Sequence, residues 1–162
     1  MLRLRLPFLF LLIFSPFLSN AREISNTWGS GGVFLGAGQS SQLSETSSLL
    51  GGFGYGVQNK IMIGGEAYTY MGGGLRGSFA LLNAGFTLDE TERNGKKQVF
   101  IPYIGIGGGS IDRRNINQTD SGLLLSAGVH YRASTDRHTW GFRASMVKGE
   151  GKPMWLFGLT VE

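Results

Sequence analysis

Leu123-Leu124-Leu125-Ser126-Ala127-Gly128-Val129-His130-Tyr131-Arg132 is the stretch that decides how this chain reads. Its odd positions are Leu123, Leu125, Ala127, Val129 and Tyr131, and none carries a charge. Its even positions include Ser126, Gly128, His130 and Arg132. Successive side chains of an extended chain point to opposite faces, so this alternation describes a two-faced β-strand.

Working outward, seven further segments of strand length lie at roughly 28–39, 48–58, 60–71, 75–88, 98–109, 138–147 and 154–162, with the quoted strand at 121–133. The connectors between them are polar or glycine-rich, such as Gln58-Asn59-Lys60, Gly72-Gly73-Gly74 and Ser134 to Arg137. Each can join antiparallel neighbours, and none is long enough for the crossover helix that parallel strands require. An all-β, antiparallel up-and-down arrangement of about eight strands follows.

Most segments repeat the alternation. The second sets Leu49, Phe53, Tyr55 and Val57 against Gly52, Gly54, Gly56 and Gln58; the third sets Ile61, Ile63, Ala67 and Met71 against Glu66, Tyr68 and Tyr70. The seventh sets Trp140, Phe142, Ala144 and Met146 against Gly141, Arg143 and Ser145, and the last sets Trp155, Phe157, Leu159 and Val161 against Gly158 and Thr160. One face is therefore read as uncharged throughout, with Glu66, Arg76, His130, Arg132 and Arg143 on the other. In the fourth segment Asn83 falls in phase with Leu75, Phe79 and Leu81, while Ala84, Phe86 and Leu88 continue on the opposite phase. A β-bulge near Asn83 would account for the switch, since one extra residue flips every later side chain. Val99 to Ile106 is apolar on both faces and contains Pro102, so periodicity leaves its orientation open.

Two kinds of barrel have one clean apolar face. A soluble lipocalin-like barrel turns it inward and meets water with a face rich in Lys, Glu and Asp. Here the second face holds about five charges and is otherwise Gly, Ser, Tyr and some Leu, which suits the narrow, filled lumen of an eight-stranded barrel. The expectation is a transmembrane barrel with its uncharged face toward lipid. Glu66, Arg76, His130, Arg132 and Arg143 then form a polar lumen cluster, in which an unpaired charge is costly and Glu66 should pair with an arginine. Counting back through Gly72-Gly73-Gly74 places Arg76 near Tyr70. Trp28, Trp140, Trp155, Tyr131 and Tyr103 lie near strand ends, where membrane barrels carry aromatic girdles.

Composition agrees. Charged residues are 16% of the 162, below the ~25% usual in soluble domains. Glycine supplies 27 of them, far above its usual share of about 7%. After Ala21 no apolar run approaches the length of a spanning helix. Arg3 and Arg5, the apolar run Leu6 to Leu18 and the small residues of Ser19-Asn20-Ala21 have the layout of a secretory signal peptide. Residues 1–21 are therefore expected to be a cleaved signal and 22–162 a single β-barrel domain. Without Arg3 and Arg5 the formal charge of +4 becomes +2, and no basic patch interleaved with aromatics suggests nucleic acid. There are no cysteines, which removes disulfides, thiolate metal sites and cysteine nucleophiles.

With these strands in place, the chain resembles the small eight-stranded outer-membrane β-barrel proteins of diderm bacteria, the group that includes the OmpA-type transmembrane domain and OmpX. The resemblance covers residues 22–162 and is one of pattern and length, as in Gly52-Phe53-Gly54-Tyr55-Gly56 and Tyr103-Ile104-Gly105-Ile106-Gly107-Gly108-Gly109. The alternation of Trp155, Phe157, Leu159 and Val161 is similar to the group's C-terminal insertion signal, although Glu162 stands where an aromatic is usual. The resemblance implies residence in the outer membrane as a monomer in contact with its lipid bilayer. It also implies a role as structural anchor, adhesin, complement-evasion factor or lipid-modifying enzyme.

A deacylase-like site needs His and Ser together on a lipid-facing surface. His130 falls on the lumen face, with Ser126 four residues away and Ser145 on the neighbouring strand. Gly105 to Ser110 lacks the third glycine of a dinucleotide-binding loop, and two distant histidines make no metal site. No cofactor and no enzymatic activity are expected. Asp112-Arg113-Arg114-Asn115 is the most distinctive connector, and Arg113 and Arg114 are candidates to meet lipopolysaccharide phosphates or a protein partner. The expected function is a closed-lumen outer-membrane barrel in a structural or surface-interaction role. The alternatives are a lipid-modifying barrel and a soluble lipocalin-like barrel that binds an apolar ligand.

Overall fold

The computed structural model describes residues 27–40, 46–93, 96–113, 118–135, 138–151 and 153–162. They form β1 (Thr27–Ser40), β2 (Thr46–Gln58), β3 (Ile61–Tyr70), β4 (Leu75–Phe86), β5 (Leu88–Arg93), β6 (Lys96–Arg113), β7 (Gln118–Ser134), β8 (Thr139–Lys148) and β9 (Met154–Val161). All pairings are antiparallel between neighbours, β4 pairs with β6, and β1 pairs with β9, so eight of the nine strands close a barrel. The ninth, β5, is an arm that pairs with the start of β6 beyond the wall. Closure matters energetically, because an open sheet would leave a row of unpaired backbone groups at each edge.

Two ends can be distinguished. Thr27, the turns Gln58–Ile61 and Ser134–Thr139, the β5–β6 arm and Glu162 lie at the near end; the Gly72–Gly74 turn, the β6–β7 connection and the β8–β9 connection lie at the far end. The tight near-end turn puts Asn59 and Lys60 at φ of 51° and 68°, the left-handed geometry of the two-residue hairpin that matches strand twist.

Burial fixes which face is which. On β7, Leu124, Ser126 and His130 are buried while Leu123, Leu125 and Ala127 are exposed. The same sense holds on β3, β8 and β9, with Ile61, Ile63, Trp140, Phe142, Trp155, Phe157, Leu159 and Val161 outward. Strand β2 runs opposite to expectation: Leu49, Phe53, Tyr55 and Val57 point into the lumen, and Leu50, Gly52, Gly54 and Gly56 face out. The reason is packing. The rings of Phe53 and Tyr55 fill the lumen against His130, so on this strand the apolar residues are the lumen filling and the glycines the outer surface.

Asn83 requires no bulge. The β3–β4 register runs unbroken from Ile61↔Phe86 to Thr69↔Ser78, and Leu75, Phe79, Leu81 and Asn83 are all buried on one phase, with Leu82, Ala84 and Phe86 exposed on the other. Both faces are apolar here, so the change of phase that the sequence suggests does not occur. Strand β6 is settled in the same way: Val99, Ile101 and Tyr103 point in, Phe100, Ile104 and Ile106 out. Its ladder to β4 ends at Gly85↔Tyr103 and the ladder to β5 begins at Leu88↔Phe100. Pro102, which has no N–H to donate, sits at that interruption, where Thr87 N instead donates to the Lys60 carbonyl at 2.8 Å.

The outer surface carries a continuous apolar belt, seen in Val33, Leu35, Ile63, Leu82, Phe86, Ile104, Ile106, Leu125, Phe142 and Leu159. Charged outward residues appear at its margins, as Arg76, Asp112 and Lys148 at the far end and Lys60 at the near end. From Leu123 to Tyr131 the belt spans about 20 Å along the barrel axis, taking ~3.3 Å per residue and a tilt of ~40°.

Candidate functional site

Among the described residues, the lumen gathers most of the chemistry-bearing side chains, and it does so in layers. At mid-height, Arg143 of β8 donates from Nη2 to Oε2 of Glu66 on β3 at 2.5 Å. In a ring of eight strands β3 and β8 stand four apart, so this ion pair ties opposite walls. Tyr68 OH donates to the same Glu66 oxygen at 3.0 Å. The guanidinium lies over the Phe53 ring at 5.0 Å and the Tyr103 ring at 4.8 Å, where ring quadrupoles help to replace lost hydration. Both partners are buried, at 1% exposure for Glu66 and 4% for Arg143.

Nearer the near end lies a second cluster. Arg132 Nε donates to Glu162 Oε2 at 2.6 Å, and Ser30 Oγ donates to the same carboxylate oxygen. His130 Nε2 is 3.2 Å from Thr160 Oγ1 and 3.6 Å from Glu162 Oε1. Its ring is held edge-to-face by Phe53 and Tyr55. Inner-face glycines make the room: a Cβ on Gly141 would come within 2.6 Å of Thr160 Oγ1 and 2.8 Å of His130 Nε2. Between the two clusters, Asn83, His130, Arg143 and Tyr55 line a cavity with room for about one water molecule.

Toward the far end the buried side chains turn mostly apolar, with Ser47, whose Oγ accepts from Leu75 N at 2.9 Å, among them. Leu49, Leu75, Ile111, Leu124, Val147, Met154 and Leu156 are each at most 2% exposed and form an apolar plug. The lumen is thus mixed in its near half, where the polar clusters sit among buried Phe53, Val57, Met62, Val99 and Ile101, and mostly apolar in its far half.

Of the residues expected in the lumen, Glu66, His130 and Arg143 are buried inside and Arg132 is partly buried there. Arg76 is not with them. It is exposed on the outer face, in register with Asp112 at the far rim, because the inner phase of β4 is taken by Leu75 and Phe79. The partner of Glu66 is Arg143 and not the sequence-near arginine. Trp28 and Tyr103 also turn inward, whereas Trp140 and Trp155 are outward near opposite ends. Arg113 closes β6, and Arg114 lies outside the described residues, as do 1–26. Ser145 pairs with Gly128, one inner-face step away from the Arg143 that stands opposite His130, so the histidine's Nε2 meets Thr160 and Glu162 rather than a serine. Thr160 is buried on the face expected for it, whereas Ser30, Trp28 and Glu162 were not expected in the lumen. The signal for Glu162 was present, since it stands in phase with Gly158 and Thr160.

No family model matches the chain, and no curated protein matches it. Among solved structures it is similar to the crystal structure of Ail, the attachment invasion locus protein of Yersinia pestis, with 14% identity over 83% of this chain and 96% of that chain, at a TM-score of 0.33.

Proposed function

We propose that the chain is an outer-membrane β-barrel with an occluded lumen, serving a structural or surface-interaction role without catalysis. The observation that carries this is the outward apolar belt, bounded at both ends by charged positions and set around a filled interior. In water such a belt would be an exposed apolar surface far beyond what monomeric soluble proteins carry. In a bilayer it fits within the apolar band ~25 Å tall of outer-membrane barrels, with Trp140 and Trp155 toward opposite ends of the belt. Its outward direction speaks against a soluble ligand-binding barrel. The burial of His130 among lumen side chains speaks against a lipid-modifying enzyme, whose histidine must reach the lipid.

In this reading residues 1–21 are the export signal and 22–162 the monomeric barrel. The near end faces the periplasm, and the far-end connections face outward. Arg113, which ends β6 at the far end, and Arg114, which follows it in sequence, are then the candidates to meet lipopolysaccharide phosphates or a protein partner.

Gel mobility of the membrane fraction, heated against unheated in SDS, tests the reading. A closed barrel has no strand edge from which detergent can unravel it, so the unheated protein is expected to migrate differently and to shift on boiling. Recovery of the protein in the detergent-free soluble fraction, with no heat-dependent shift, would overturn it.

A further inference from the structure

The near-end mouth is crossed by a contact between opposite walls. Trp28 belongs to β1 and Lys97 to β6, and these strands stand four apart in the ring of eight. Yet the Lys97 ammonium lies over the Trp28 ring, 5.6 Å from its centroid. Lys97 is in turn paired with Glu90 of β5, so the arm that extends β6 beyond the wall is what holds the cation over the opening. Below, the Arg132 guanidinium approaches the same indole at 4.9 Å, and the Trp28 ring meets Tyr55 edge-on at 5.7 Å. Side-chain exposure then falls from 39% at Lys97 to 13% at Arg132, 3% at Glu162 and 2% at His130.

We propose that Trp28 and Lys97 form a strap that closes the near-end mouth over the Ser30–Arg132–Glu162–His130 chamber, and that releasing it admits water and small solutes as far as the mid-lumen tie but not through the barrel. Three features support a strap over mere surface packing. It joins opposite walls, it draws in an arm that the barrel wall does not need, and the Arg132–Glu162 ion pair beneath it is partly buried on the arginine side and almost fully buried on the glutamate side. Beyond the chamber, the Glu66–Arg143 tie and the apolar plug leave no second exit among the described residues. Once the strap is released, the near half of the lumen would open at one end only. The inference concerns the folded barrel itself and stands whichever compartment holds it.

The test uses the absence of cysteine in the chain. Ser30→Cys places a single thiol on the inner face, two residues from Trp28, and its reaction with a small cationic methanethiosulfonate is timed on the folded full chain. The thiol is expected to react slowly when the strap is intact. Reaction should be at least ten-fold faster in S30C/K97M, and slow again in S30C/K97R, which keeps a cation over the indole. A heat-dependent gel shift in each variant shows that the barrel is still folded, and Lys97 lies far enough outside the core for its replacement to be tolerated. Equal rates in all three proteins would overturn the proposal. So would a thiol in S30C that already reacts as fast as a free one.

Discussion

Glu66 and Arg143 face each other across the full width of the barrel, and among the described residues each is the other's ion-pair partner. Removing one charge leaves its partner stranded in a low-dielectric interior, which typically costs about 3–5 kcal/mol. Replacing both by apolar groups of similar volume removes the desolvation cost along with the attraction, and is often close to neutral. Glu66→Gln keeps an acceptor for Tyr68 but strands Arg143. It is expected to lower unfolding stability in lipid vesicles by about 3–5 kcal/mol, measured by urea titration. Glu66→Leu combined with Arg143→Met should recover most of that loss, with the non-additivity expected of directly contacting residues. An E66Q protein as stable as the parent would mean that the tie contributes nothing to folding.

At the scale of single strands, legibility depended on whether the two faces differ in kind. β7 and β8 carry charged or polar residues on one phase and large apolar ones on the other, and alternation placed both faces correctly. β2 has aromatics on one phase and glycines on the other. Both are at home in lipid or in a lumen, so the pattern shows that two faces exist but not which is inside. β4 and β6 are apolar on both phases, and there alternation is silent. Cross-barrel partners decide these cases: Tyr55 and Phe53 must meet His130 and Arg143, and Arg76 is excluded because Leu75 and Phe79 own the inner phase. Such contacts join residues remote in sequence, which is why Arg143 could not be singled out as the partner of Glu66. The orientation of β2 gives a sharp prediction. Gly56 faces outward, where an added Cβ meets nothing within 4 Å, whereas a Cβ on Gly51 would collide with the Tyr68 ring. Gly56→Val is therefore expected to fold with the parent's heat-dependent gel shift. Gly51→Val should fold in reduced yield or not at all. The reverse ranking would mean that β2 is turned the other way.

The molecule as a whole has two apolar environments, and the same side chain should behave differently in each. Ile111 belongs to the far-end plug at 0% exposure, and Ile104 belongs to the outer belt at 67%. Truncating Ile111 to Ala removes transfer free energy and leaves a cavity that rigid strands cannot collapse, so it should cost about 2–5 kcal/mol. Truncating Ile104 leaves no cavity, because fluid acyl chains close over the gap; only the transfer of the lost methylenes counts, about 1.5–3 kcal/mol at most. Were the belt bathed in water, the same Ile104→Ala change would fall within about 0.5 kcal/mol of zero, as exposed surface substitutions do. Urea unfolding of both variants from lipid vesicles therefore measures the solvent on each side of the wall. A clear loss for I104A, smaller than that for I111A, is expected. A neutral I104A beside a damaging I111A would mean that the belt meets water. The asymmetry of the lumen sharpens the comparison, since the plug that holds Ile111 is sealed from both solvents and reports packing alone.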